Sequence, residues 1–467
     1  MKKLLFFLLF IPLVSFGQTA SDLIGNGFWL QQGYGRLLEI NKKSVVFYDI
    51  SKSSQIKLGE IPVKYFLEGS YKFDKIQDNS FTILQGINEY DYKKVNKNYF
   101  FDKEPSKNNK DPLYNFESVW NTFNENYAYF KERNIDWNKI EKKYRSKILN
   151  NTSELDLFVI IRDMLNELND GHVRIFPPSK IQKKLIKVED NTASINNKKS
   201  DDEYWNELMQ THTKNYKSYN FGLINWGKIN EDLSIIQINT MMGLANYKLS
   251  ESLFSKKGTK SYNKQAEKSS NYYQDELDGV KVFMNKAFND IKSTKACIID
   301  LRFNGGGYDA VALEILSFFS NQSTTIFTKK ARVNQGFTRT IDVTVPSSSL
   351  SYSPRIYILT SNQTASAAEI FVLGSIEAIP DAIRIGSNTE GIFSDVLEKR
   401  LPNGWNYGLS NEVYQSLDGN NYENIGVEPH HYIDYPKDEQ EFYKKLMEAD
   451  KAIEKVIKIE SQLQIKP

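Results

Sequence analysis

The stretch from Arg355 to Ile379 constrains the fold more than any other. Arg355-Ile-Tyr-Ile-Leu-Thr360 is an apolar, β-rich run. A short polar turn, Ser361-Asn-Gln-Thr364, follows it, and then a helical pattern runs through Ile370, Phe371, Leu373, Ile376 and Ile379. A buried strand thus passes directly into a buried helix, and both must be covered. Ser366 stands at the junction. Two readings of it are open. Ser366-Ala-Ala-Glu369 is a capping box, with serine at the N-cap and glutamate three residues on. The same place would also suit a nucleophile, because the free N–H groups of a helix's first turn surround it and can stabilise an oxyanion.

The rest of the chain sets the context. Its 467 residues exceed a usual single core, so two or three domains are expected. Sixty basic against 58 acidic residues give a net charge of +2, with no general pull toward nucleic acid or an anionic membrane. The single cysteine, Cys297, lies in an apolar run and cannot form an intrachain disulfide. No His or Cys cluster marks a metal site, and no cofactor is expected. Met1-Lys2-Lys3, the apolar run from Leu4 to Val14 and Ser15-Phe16-Gly17 read as a signal peptide over residues 1–17. An exported protein is implied: periplasmic, envelope-associated or secreted. No transmembrane segment is expected after signal removal.

Residues 18–105 read as a small N-terminal all-β domain, with short strands at Gly27-Phe-Trp-Leu30, Leu37-Leu-Glu-Ile40, Ser44-Val-Val-Phe-Tyr48, Lys64-Tyr-Phe-Leu67 and Ser80-Phe-Thr-Ile-Leu84. Residues 106–113 read as a linker. Residues 114–180 carry helical spacing and form a helical cap that ends in Leu168-Asn-Asp-Gly-His172. The chain has only four histidines, and His172 is the best placed of them for a general base; a C-cap histidine is its alternative. Residues 181–220 read as an irregular connection and residues 247–274 as a loop or lid. Ala296-Cys-Ile-Ile-Asp300 is a buried strand, and Asn304-Gly-Gly-Gly307 separates it from a helix. Those glycines let backbone come close to a ligand. The loop lacks both the dinucleotide pattern and the Gly-Lys-Ser/Thr of a phosphate loop. Residues 437–467 read as a C-terminal helix.

Five stretches in this order resemble one family. They are Leu168-Asn-Asp-Gly-His172, Ile299-Asp-Leu-Arg-Phe-Asn-Gly-Gly-Gly307, Leu359-Thr-Ser-Asn-Gln-Thr-Ala-Ser-Ala-Ala-Glu369, Ile385-Gly-Ser-Asn-Thr-Glu-Gly391 and Tyr422-Glu-Asn-Ile-Gly-Val-Glu-Pro429. The chain from about residue 114 to 436 is similar to the S41 serine peptidases, which include the C-terminal processing proteases, the tricorn core and related retinoid-binding repeats. The resemblance implies an α/β fold: a crotonase/ClpP-like ββα core over residues 221–436, with a helical cap before it. It implies Ser366 as nucleophile and the amides of Gly306 and Ala367 as the oxyanion hole. The lysine of the C-terminal processing branch is missing, since Thr389-Glu-Gly391 is followed by Ile392-Phe393, and Lys399 is out of register. His172 and Glu423 match the tricorn-like branch as base and orienter. That branch has a serine just before the histidine, where this chain has Gly171. Ser394, Asp170 or Glu369 could assist. No PDZ domain is expected.

A serine hydroxyl needs a neighbour to take its proton, which a neutral histidine can do near pH 7. Glu423 would fix the ring's tautomer; a solvated turn carboxylate is its alternative. The implied activity is peptide-bond hydrolysis on a peptide or protein substrate. A non-catalytic binding protein on the same fold and a serine-dependent esterase are the competing readings.

Overall fold

The computed structural model describes residues 24–68, 71–96, 108–189, 201–249, 256–269, 271–347 and 353–465. The expected signal peptide and the first two residues of the expected linker lie outside them.

Among the described residues, seven strands build the N-terminal domain: β1 Gly27–Gln31, β2 Arg36–Ile40, β3 Ser44–Ile50, β4 Gln55–Pro62, β5 Lys72–Gln77, β6 Ser80–Gln85 and β7 Asn88–Val95. They form one antiparallel sheet in the order β4-β3-β2-β1-β7-β6-β5. Trp29, Leu38, Val45, Phe81 and Tyr92 share its core with Phe66. Phe66 belongs to a short helix, α1 Val63–Leu67, where the sequence suggests a strand. Four residues of alternation are too few to fix a strand, and Phe66 alone carries the burial of this segment.

The cap consists of α2 Pro112–Asn126, α3 Trp137–Arg145 and α4 Glu154–Asn166. Asp111, Asp136 and Ser153 cap their N-termini with side-chain oxygens. Phe116, Phe123, Ile140 and Ile161 pack in one cluster under these helices. After β8 Arg174–Ile175 come α5 Ser179–Glu189 and α6 Asp201–His212, where the sequence suggests irregular chain. Narrow apolar stripes explain the difference. Ile181, Leu208 and Met209 are buried, and the surrounding Lys and Asn residues hide them.

The core then runs β9 Tyr216–Tyr219, β10 Ile224–Lys228, β11 Leu233–Ile238, α7 Lys256–Ala266, α8 Tyr272–Ile291, β12 Ala296–Asp300, α9 Asp309–Ser317, β13 Thr324–Val333, β14 Gly336–Phe337, β15 Ile341–Val345, β16 Arg355–Thr360, α10 Ala367–Ala378, β17 Ile383–Gly386, β18 Val396–Arg400, β19 Asn406–Ser410, β20 Glu412–Gln415 and β21 His431–Tyr432. Helix α7 occupies part of the segment expected to be a loop. The expected C-terminal helix is two helices, α11 Glu439–Glu448 and α12 Lys451–Ile465. Asp450 breaks the run: its carboxylate accepts from the Ile453 N–H and pairs with buried Arg302.

The central sheet has the order β21-β17-β16-β12-β11-β10-β9. Strands β11, β12, β16, β17 and β21 are parallel, and β10 and β9 continue it antiparallel. Helices α8, α9 and α10 bury Phe283, Leu316 and Phe371 on one face. Met209 of α6 and Ile453 and Val456 of α12 cover the other. Because β12 and β16 are parallel neighbours, their following loops leave the sheet side by side, as ligand-binding loops do in open α/β sheets.

Candidate active site

Ser366 lies on the turn between β16 and α10. Its backbone is at φ +54°, ψ −124°, a region a non-glycine residue rarely occupies. Such strain persists only where surrounding contacts enforce it, and here they are visible. The loop after β12 presses on the turn. A Cβ built on Gly306 would sit 2.7 Å from Ser366 Cβ and 3.0 Å from Ala367 N. Gly306 itself has φ +100°, so glycine is required there both by conformation and by space. The Ala365 N–H donates to the Asn304 carbonyl at 3.0 Å and joins the two loops.

Glu369 holds the turn from the helix side. Its buried carboxylate accepts from the N–H groups of Ser366 (3.1 Å), Gly391 (2.7 Å) and Ile392 (2.8 Å). Burial pushes this carboxyl up to about 7, against the downward pull of the Thr389 hydroxyl and the three N–H groups. The capping glutamate therefore does more than cap. It ties the segment after Thr389 to Ser366. The Ala367 N–H, at the open first turn of α10, has no partner among the described residues. The Gly306 N–H has one: it donates to Asn304 Oδ1 at 2.9 Å.

The far end of that segment faces His172. The Ser394 carbonyl lies against the imidazole and favours its protonated form, while the buried Nδ1 has no hydrogen-bond partner among the described residues. Burial holds the ring below its ordinary value; Asp170 opposes this, and Arg174 and Arg133 reinforce it. Asp170 also fixes the turn that carries the histidine. Its Oδ1 accepts from the His172 N–H at 2.9 Å and from Ser410 Oγ at 3.2 Å, and its Oδ2 from the Tyr127 hydroxyl at 2.9 Å.

Glu423 is buried nearby. Its carboxylate accepts from Arg133 Nη2 at 2.7 Å and from the Phe393 N–H at 2.9 Å. Burial, with Asp170 close by, pushes this carboxyl up to about 8 against the pull of Arg133 and Phe393. Arg133 also lies 3.7 Å from Asp170. So Asp170, Arg133 and Glu423 form one buried charged group behind the histidine turn. Sequence reasoning missed Arg133. The only hint was chemical: two buried carboxylates need a cation. A cleft of about 590 Å³ opens here, lined by Arg133, Asp170, Gly171, Glu390, Gly391 and Ile392 among others.

Lys399 is elsewhere. It is buried between the core and the N-terminal sheet, where it donates to the Gly35 carbonyl and to Asp49 Oδ1 at 3.1 Å. Burial pushes its ammonium down to about 8 in spite of Asp49.

The family model described as Peptidase family S41 matches residues 252–433, the stretch from α7 to β21 that contains Ser366. Over that stretch the chain matches peptidase family S41. Members of S41 are serine-type peptidases. The model of the Tricorn protease C1 domain matches residues 108–166, which are the three cap helices. A candidate peptidase of Parabacteroides merdae has the same fold at TM-score 0.54 and 18% identity, over 75% of this chain and 96% of its own. Mature CPAF complexed with lactacystin aligns at TM-score 0.48 and 12% identity, over 74% of this chain and 98% of its own. The tricorn protease aligns at TM-score 0.41 and 14% identity, over 91% of this chain and 45% of its own. Comparison with curated proteins gives no significant match.

Proposed function

We propose that the chain is an exported serine peptidase that cleaves peptide bonds through an acyl-enzyme on Ser366, with His172 as general base. The observation that carries this reading is the strained Ser366 backbone, held at the head of α10 with Gly306 against it. His172 takes the Ser366 proton as Oγ attacks the substrate carbonyl carbon. The resulting oxyanion is met by the Ala367 N–H. The Gly306 N–H joins it by exchanging Asn304 Oδ1 for the oxyanion. The imidazolium returns the proton to the leaving amine, the C–N bond breaks and the acyl-enzyme remains. Water, deprotonated by His172, then releases the acid and regenerates Ser366. Burial suits His172 to this role, since a ring held below its ordinary value is neutral near pH 7.

Glu423 acts in this scheme as part of the Asp170–Arg133–Glu423 group. From its bonds to Arg133 and Phe393 it steadies the segment that faces the ring. The Ser394 carbonyl is the group nearest to an orienter.

A second reading, peptide binding without turnover, is favoured by one observation: the Gly306 N–H is already engaged by Asn304. A fluorophosphonate probe separates the two. Peptidase chemistry requires labelling of the wild type, none in Ser366→Ala and slower labelling in His172→Ala. A folded wild type that stays unlabelled, and cleaves neither peptide nor ester libraries, leaves only the binder.

A further inference from the structure

The N-terminal domain sends one hairpin into the catalytic core. The turn between β6 and β7, Gly86-Ile87, closes on the pair Gln85–Asn88. Ile87 packs against the main core cluster. Gly86, at φ +60°, lies so close to Tyr273 that a Cβ there would meet its hydroxyl at 2.1 Å.

Asn88 enters a buried polar cluster. Its Oδ1 accepts from Lys329 Nζ, and its side chain also bonds Asp395. Lys329, 1% exposed, pairs with Glu412 at 3.0 Å and donates to the Tyr414 hydroxyl at 3.2 Å. Tyr414 in turn donates to Asp309 at 2.9 Å. Tyr34, also from the N-terminal domain, donates to the other oxygen of Glu412. Asp309, Asp395 and Glu412 thus surround one ammonium. Burial raises the carboxyls of Asp309 and Asp395. A buried acidic excess of this kind needs every available donor. Two of those donors come from the N-terminal domain.

The cluster touches both halves of the site. Asp309 is the first residue of α9, three positions after Gly306, which meets Ser366. Asp395 adjoins Ser394, whose hydroxyl donates to the Asp395 carbonyl at 2.7 Å and accepts from the Glu412 N–H at 3.1 Å. The Ser394 carbonyl is the group that faces His172.

We propose that Asn88 and Tyr34 are positioning residues supplied by the N-terminal domain: they complete the cluster around Lys329 that holds the Ser394 carbonyl to His172 and the start of α9 behind Gly306. The N-terminal domain is then part of the catalytic apparatus and more than a neighbouring module. The proposal rests on the peptidase reading of Ser366 and His172.

Asn88→Ala and Tyr34→Phe in the full chain test it by two readouts. Turnover falls about 10- to 100-fold with KM within about twofold, as expected when catalytic groups shift by a fraction of an ångström. Hydrogen exchange rises in residues 392–396 and 307–311, while the Arg400 amide, bonded to Asp49 Oδ2 at the other contact between the domains, keeps its protection. That pattern separates local loosening from undocking of the whole domain. Unchanged turnover together with unchanged exchange at 392–396 overturns the proposal, as does exchange that rises equally at Arg400. If the wild type proves inert to fluorophosphonate, the peptidase reading fails. The exchange measurement still decides whether the hairpin holds the 392–396 turn.

Discussion

The two halves of the site are built differently. Around Ser366, the proposed nucleophile, the hold is mostly backbone: adjacent parallel strands, a strained residue, and one carboxylate that gathers three N–H groups. Around His172, the proposed base, side chains do the holding: Asp170 accepts from the His172 N–H, and Arg133 and Glu423 stand behind it. Asp170, Arg133 and Glu423 come from three separate parts of the chain, with Arg133 and Glu423 290 positions apart. The difference teaches where tolerance lies. The Ser366 half leans on one buried carboxylate, whereas the His172 half depends on three charged side chains at once.

Ser366→Ala makes the largest break. Hydrolysis should fall by about four to six orders of magnitude with no loss of fold, measured by turnover and circular dichroism. His172→Ala should cost about three to four orders, and the residual rate would measure what the nucleophile side does alone. In the wild type, kcat/KM should fall as pH drops, with a midpoint below 6.5, because burial favours the neutral ring and protonation removes the base. A midpoint above 6.5 would mean another group titrates.

Arg133→Met tests the charged half. It leaves Glu423 and Asp170 without their cation and should destabilise the fold by about 3 kcal/mol in urea unfolding. Glu369→Gln tests the other half. One acceptor oxygen becomes a donor facing N–H groups, and at least one buried N–H loses its partner, at a loss of about 1–3 kcal/mol. If Glu369→Gln proved the more damaging of the two, the contrast drawn between the halves would be wrong.

A pH slope in stability should accompany these changes. Glu369 and Glu423 are raised from 4.5 to about 7 and about 8 in the folded protein. Between the unfolded and folded values the native state binds more protons than the unfolded chain. Their contribution is therefore complete below about pH 4.5 and lost as pH rises through 7 and 8. Melting temperature should decline from about pH 4.5 to about 8, and Glu423→Gln should flatten the decline.

Much of the backbone-built half was legible in the sequence. The apolar run to Thr360, the glycines at 305–307 and the helix from Ala367 are local patterns, and local patterns survive reading one residue at a time. The side-chain half was not. Arg133 lies in a run, Lys131-Glu-Arg-Asn134, that looks solvated, and nothing near it announces Glu423. Lys329 and Lys399 look equally ordinary, yet both are 1% exposed. Burial of a charge is a decision made by tertiary neighbours, which composition cannot display. Helices α5 and α6 escaped for a related reason: a few apolar residues each suffice to anchor a helix that is otherwise polar.

Arg302 closes the strand that leads to Gly306, and it is clasped by Asp300 and, from the chain's far end, by Asp450. The clasp makes the approach to Gly306 depend on a residue 148 positions away from Arg302, so a change that loosens the junction of α11 and α12 should be felt beside Ser366.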